Sequence, residues 1–150
     1  LDGIGYDYKS KFADASEDYI DSSWEELEPI MADLAAKYPD KTVFSSTQSY
    51  LGQGMSVDNL AGDYYGVLLD MDVAKVEDLW SSQVWMDVCK RFYKYNQLGY
   101  YPADALTSTV TMGARVGAGE CMSLLSQGKP GYRSQVSGEC SMDTICFHAY

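Results

Sequence analysis

The stretch SSWEELEPIMADLAAKYPDK constrains the fold more than any other part of the chain. Trp24, Leu27, Met31, Leu34 and Tyr38 recur at spacings of three and four, which draws one apolar face along a helix. Ser23 and Glu26 have the spacing of a capping box, and Pro39 marks the stop. Pro29 lies off the apolar stripe and predicts a kink or a late start. A helix with one wet face must lay its other face on something, so the rest of the chain is read for what covers it.

Strands are predicted on both sides. GIGYDYKSKFADAS carries a partly alternating, aromatic run from Tyr6 to Phe12. TVFSSTQSYL (42–51) is rich in β-branched and aromatic residues, and YYGVLLDMD reads as the clearest strand of the chain. VAKVEDLWSSQVWMDVCKRFYKY returns to helical spacing through Val76, Leu79 or Trp80, Val84, Val88 and Phe92, with a break expected at Ser81-Ser82. GYYPADALTSTVTMG ends in a β-rich run from Leu106 to Met112. Strand, helix, strand, strand, helix, strand is the order of the ferredoxin-like unit, an α+β fold with a four-stranded antiparallel sheet and both helices on one face. The expected organisation is a ferredoxin-like domain over 1–112 and a Gly/Ser/Cys-rich extension over 113–150.

Composition narrows the function classes. The 150 residues are 46% hydrophobic and include thirteen tyrosines and three tryptophans, which is the make-up of a packed chain. A net charge of −11, with basic residues scattered, disfavours nucleic acid and anionic membrane surfaces as partners. No apolar run approaches the roughly 20 residues of a membrane span, so no transmembrane segment is expected. The chain opens Leu1-Asp2-Gly3 and its first methionine is Met31. That reads as a processed chain of a secreted or organelle-lumenal protein, in preference to a trimmed fragment.

Four cysteines and one histidine supply the reactive side chains. Cys121, Cys140, Cys146 and His148 lack the short knuckle spacing of structural zinc, so no metal is expected. The even count in a processed chain favours disulfides among Cys89, Cys121, Cys140 and Cys146, with three full pairings possible. Cys89, beside the Val88 stripe, can also be read as a buried free thiol, which would leave one bridge within the tail. VTMGARVGAGEC matches neither a dinucleotide fingerprint nor a phosphate loop and reads as a flexible connection. The acidic runs lack the order of a calcium loop, and Asp72 reads as a helix cap. No catalytic residue and no cofactor are assigned.

YYGVLLDMDVAKVEDLWSSQVWMDVCKRF resembles the second half of dimeric α+β barrel proteins, which include stress-responsive barrel-domain and antibiotic-biosynthesis-monooxygenase-like families. KSKFADASEDYIDSSWEELEPIMADLAAKYPDK is similar to their opening half, and the likeness covers about two-thirds of the chain. Gln83-Val84-Trp85 stands where many relatives carry a histidine. The resemblance implies a pocket between sheet and helices, for which Tyr6, Tyr8, Tyr64, Trp80 and Trp85 are the ligand-binding candidates. Two functions are carried forward. One is a non-catalytic binding or accessory subunit, a homodimer or part of a larger complex, that meets a partner chain or an apolar small molecule through its sheet face and extension. The other is a cofactor-independent cyclase or monooxygenase acting on an aromatic or polyketide-like molecule.

Overall fold

In the computed structural model, residues 2–6, 20–45, 67–70, 75–125 and 131–149 are described. The expected first strand therefore lies outside the described residues beyond Tyr6, and so do Tyr8, Tyr64 and Asp72.

Helix α1, Trp24–Lys37, forms where the spacing places it. Ser23, in extended conformation, accepts the Glu26 N–H at 3.2 Å, and the Glu26 carboxylate accepts the Ser23 N–H at 3.0 Å. Pro29 sits within the helix. Helix α2, Gln83–Gln97, turns Val88, Phe92 and Tyr95 inward and crosses α1 along an aromatic seam. Trp24 meets Phe92 edge-on at 5.6 Å, and Tyr95 lies between Trp24, Phe44 and Tyr100. With Met31, Val43 and Val88 these residues form the main core.

The strands do not assemble as the ferredoxin-like reading expects. Strand β1, Ile20–Ser22, pairs in parallel with β6, Phe147–Ala149. Strand β2, Thr42–Phe44, pairs in parallel with β5, Cys121–Ser123. Strand β3, Val67–Asp70, pairs antiparallel with β4, Lys75–Asp78. The described strands thus form three two-stranded pairs, two of them parallel, in place of one four-stranded antiparallel sheet. The described strands therefore do not make the ferredoxin-like sheet.

Two causes account for the difference, one local and one long-range. The run from Leu106 to Met112, expected as the last strand, is turn and helix start. Pro102 and Asp104 carbonyls accept from Ala105, Thr107 and Ser108, and Ser108 Oγ accepts the Val110 N–H. Those short-range bonds spend the backbone donors a ladder needs. Thr111 then caps a short helix, α3, Met112–Gly117. The second cause is that the C-terminal third supplies the partners of β1 and β2.

That C-terminal third packs by close approach. A Cβ on Gly113 would stand 3.1 Å from Glu139 Cβ, and one on Gly117 would stand 2.7 Å from the Cys140 carbonyl. The two glycines, expected as a flexible connection, let α3 lie directly on α4, Tyr132–Cys140. Val116, Cys121, Val136 and Cys140 form a second small core there. Strand β5 and the two residues after it join the two cores, since Cys121 and Leu124 pack in the second while Met122 and Leu125 pack on the first.

Candidate functional site

Trp80 and Trp85 are brought together. After β4 the chain makes one 3-10 turn, Leu79–Ser81, anchored by Leu79, which is 1% exposed. Asp78 Oδ1 caps the turn by accepting the Trp80 N–H at 3.1 Å. Ser82 caps α2 by accepting the Trp85 N–H at 3.2 Å and donates its own hydroxyl to the Leu79 carbonyl at 2.6 Å. Each indole therefore has its own main-chain N–H tied into a cap, which fixes both Cα positions. The rings meet edge-to-face, centroids 4.7 Å apart at 86°.

This corner faces water. Trp80 is 50% exposed, and Val76, Val84 and Met86 close by in sequence are exposed as well. An exposed indole pair offers π faces and apolar area for recognition but no acid or base. The polar groups beside it are engaged locally. Gln83 Nε2 donates to Asp87 Oδ1 at 2.6 Å, and Lys90 lies 3.4 Å from the same oxygen.

Tyr6 is not part of the corner. Its ring packs against Phe147 of β6 at 6.1 Å. Tyr8 and Tyr64 lie outside the described residues.

The cysteine expectation needs correction, because none of Cys89, Cys121, Cys140 and Cys146 is joined in a disulfide. The tail is held without bridges. Thr42 Oγ1 donates to Cys121 Sγ at 3.2 Å, the Cys146 carbonyl accepts the Ile20 N–H at 2.9 Å, and Cys140 is buried where α4 meets α3. Burial, and then the neighbouring Glu139, push the Cys140 thiol pKa up, which disfavours the thiolate. The two Gly-Glu-Cys triplets, alike in sequence, end in different elements: Cys121 opens β5 and Cys140 closes α4. Among the described residues, no group of three or more His, Cys, Asp or Glu side chains gathers to hold a metal ion. Nor is any described helix long and apolar enough to cross a membrane.

The other charged clusters act within the fold. Glu28 accepts from Lys94 at 2.8 Å and from the Tyr95 hydroxyl at 3.0 Å, and Arg91 reaches Glu25 at 2.9 Å. The Lys94 hydrogen bond holds the Glu28 carboxyl below its ordinary range, while burial and then Glu28 itself push the Tyr95 hydroxyl up. Arg115, 7% exposed, bonds Asp104 and Ser108 and so ties the 102–111 turns to α3. Sequence reading missed this tie, whereas the break expected at Ser81-Ser82 is found, the 3-10 turn ending at Ser81 and α2 starting at Gln83 with Ser82 as its cap. The signal for a cap was present, since Ser82 stands three residues before Trp85.

A scan against family models and searches of curated proteins and of solved structures return no match to this chain.

Proposed function

We propose that the chain is a non-catalytic binding module and that the Trp80–Trp85 corner is where it meets a protein partner. The observation that carries this reading is the half-exposed Trp80, its main-chain N–H held by the Asp78 cap and its ring set against the capped Trp85, yet left out of the core. Large aromatics fixed at a surface and ringed by apolar side chains are typical anchors of protein interfaces. The strands of the C-terminal third pair with β1 and β2, so the binding surface is moved from the sheet face and extension to this corner. The enzyme alternative drew on a pocket behind a four-stranded antiparallel sheet, and the described strands do not form that sheet.

Position-specific cross-linking tests the proposal. A photoreactive residue replaces Val84, exposed beside the indoles, and in a control replaces Lys37 at the far end of α1. In the native cell the Val84 position should give one discrete adduct that disappears when W80A is added. Equal labelling from both positions, or an adduct that survives W80A, would remove the corner as the binding surface.

A further inference from the structure

The partner's chemistry follows from a comparison within the chain, and it rests on the binding reading above. The first indole of the fold, Trp24, has a cation. The Arg91 guanidinium lies 5.7 Å over its ring and at the same time pairs with Glu25 at 2.9 Å. An indole face plus an adjacent carboxylate is thus a kit that already holds a cation in this fold. The Trp80–Trp85 corner has the same kit. Its two rings stand perpendicular, and Asp78 is fixed two residues from Trp80 by its bond to the Trp80 N–H. No cation among the described residues pairs with Asp78, whereas Asp87 is engaged by Lys90.

We infer that this corner takes a lysine or arginine side chain from a basic segment of a partner protein. Charge points the same way. From Asp70 to Lys90 the sequence carries the carboxylates Asp70, Asp72, Glu77, Asp78 and Asp87 against Lys75 and Lys90, and the chain as a whole is at −11. A field of that sign steers a basic segment towards the surface. Exposed Val76, Val84 and Met86 suit the aliphatic stem of a lysine or arginine, while the charged head meets the indoles and Asp78. A purely apolar occupant would make no use of the Asp78 charge, which bonds only the Trp80 N–H among the described residues.

The test uses the full chain and two blocked five-residue peptides, Ala-Lys-Ala-Lys-Ala and its norleucine counterpart. Indole N–H resonances are followed during titration, with Trp24 as the internal reference. The lysine peptide should shift the Trp80 and Trp85 signals, leave Trp24 in place, and weaken as salt is raised. Norleucine should bind about two- to fivefold more weakly, the factor expected for an exposed cation–π contact. D78N keeps the capping oxygen and removes the charge, so it should weaken only the lysine peptide, and W80A should abolish the shifts. If norleucine binds as well as lysine, the occupant is apolar and the cation is overturned while the binding reading stands. If neither peptide shifts the two indoles, or if the lysine shifts survive W80A, the cationic occupant is ruled out, and the Val84 cross-link decides the binding reading by itself.

Discussion

Trp24 and Trp80 are built from the same parts and end in opposite surroundings. Trp24 is 3% exposed, with Phe92 and Tyr95 against its ring and Arg91 above it. Trp80 is 50% exposed, with Trp85 against its ring and water on its open side. Both stand next to a helix start and a capping side chain, Ser23 in one case and Asp78 in the other. The difference lies in what is packed opposite. Trp24 opens a helix that α2 crosses, whereas Trp80 sits on a single turn at the end of a two-stranded hairpin. Residue type sets how much apolar area is available, and the neighbouring element decides whether it is covered.

Truncating each indole is the severest way to break that comparison. W24A should cost about 3–5 kcal/mol by emptying the centre of the seam. W80A should cost no more than about 0.5–1.5 kcal/mol, the value of an edge-to-face pair. Denaturant melts of the two variants separate these. The buried Trp24 Nε1 has no hydrogen-bond partner among the described residues, so W24F should fall well short of W24A. Equal losses from W24A and W80A would make the outer corner part of the core and remove the argument for binding there.

The inner corner was legible in the sequence because one physical rule governed it. Trp24 and Met31 are buried on the stripe that the three-four spacing draws, and the capping box closes as read. In the outer region two rules competed. Val76, Leu79 or Trp80, Val84 and Val88 also have helical spacing, but only Leu79 and Val88 of these are buried. The chain from Lys75 is strand and then turn, and the helix waits for Ser82. Strand pairing was out of reach. The described strands are three or four residues long, too short to specify register, and β1 and β2 find partners more than seventy residues later. Trp80 and Trp85 could be named as candidates, but not that they meet each other while Tyr6 meets Phe147. Counting cysteines failed for a related reason. Parity says nothing about neighbours, and Cys121 and Cys140 sit in a small core as apolar side chains.

A second contrast separates glycines that look alike in sequence. Gly117 lies against the Cys140 carbonyl, while a Cβ on Gly138 would meet nothing within 4 Å. G117A should therefore destabilise by about 1–3 kcal/mol, because backbone must move to admit the methyl. G138A, inside α4, should be neutral or stabilise by up to about 1 kcal/mol. Thermal melts of the two variants decide whether the C-terminal third is a packed unit. A harmless G117A would mean that α3 and α4 separate easily.

The smallest effect sharpens the account of why the inner corner is closed. The α1–α2 seam carries two titrating groups with opposite shifts. Glu28 is held below its ordinary value of 4.5 by Lys94, so its contribution is complete above that value and is lost as pH falls through the lowered one. Tyr95 is raised above its ordinary 10.0 by burial, so its contribution is complete below that value and is lost as pH rises from there through the raised one. Asp104 is also lowered, by Arg115, and adds to the acid limb from outside the seam. E28Q should therefore flatten part of the acid limb of a stability–pH profile, and Y95F should flatten part of the alkaline limb, to which Tyr100 and Tyr101, also raised by burial, contribute the rest. Glu28 and Lys94 are partly solvated, so the acid effect stays below about 1 kcal/mol. W80A should leave both limbs where they are, since neither group belongs to the outer corner. A limb that moves with W80A would show the two corners to be coupled, and the outer one would then have to be counted with the fold and not with its partner.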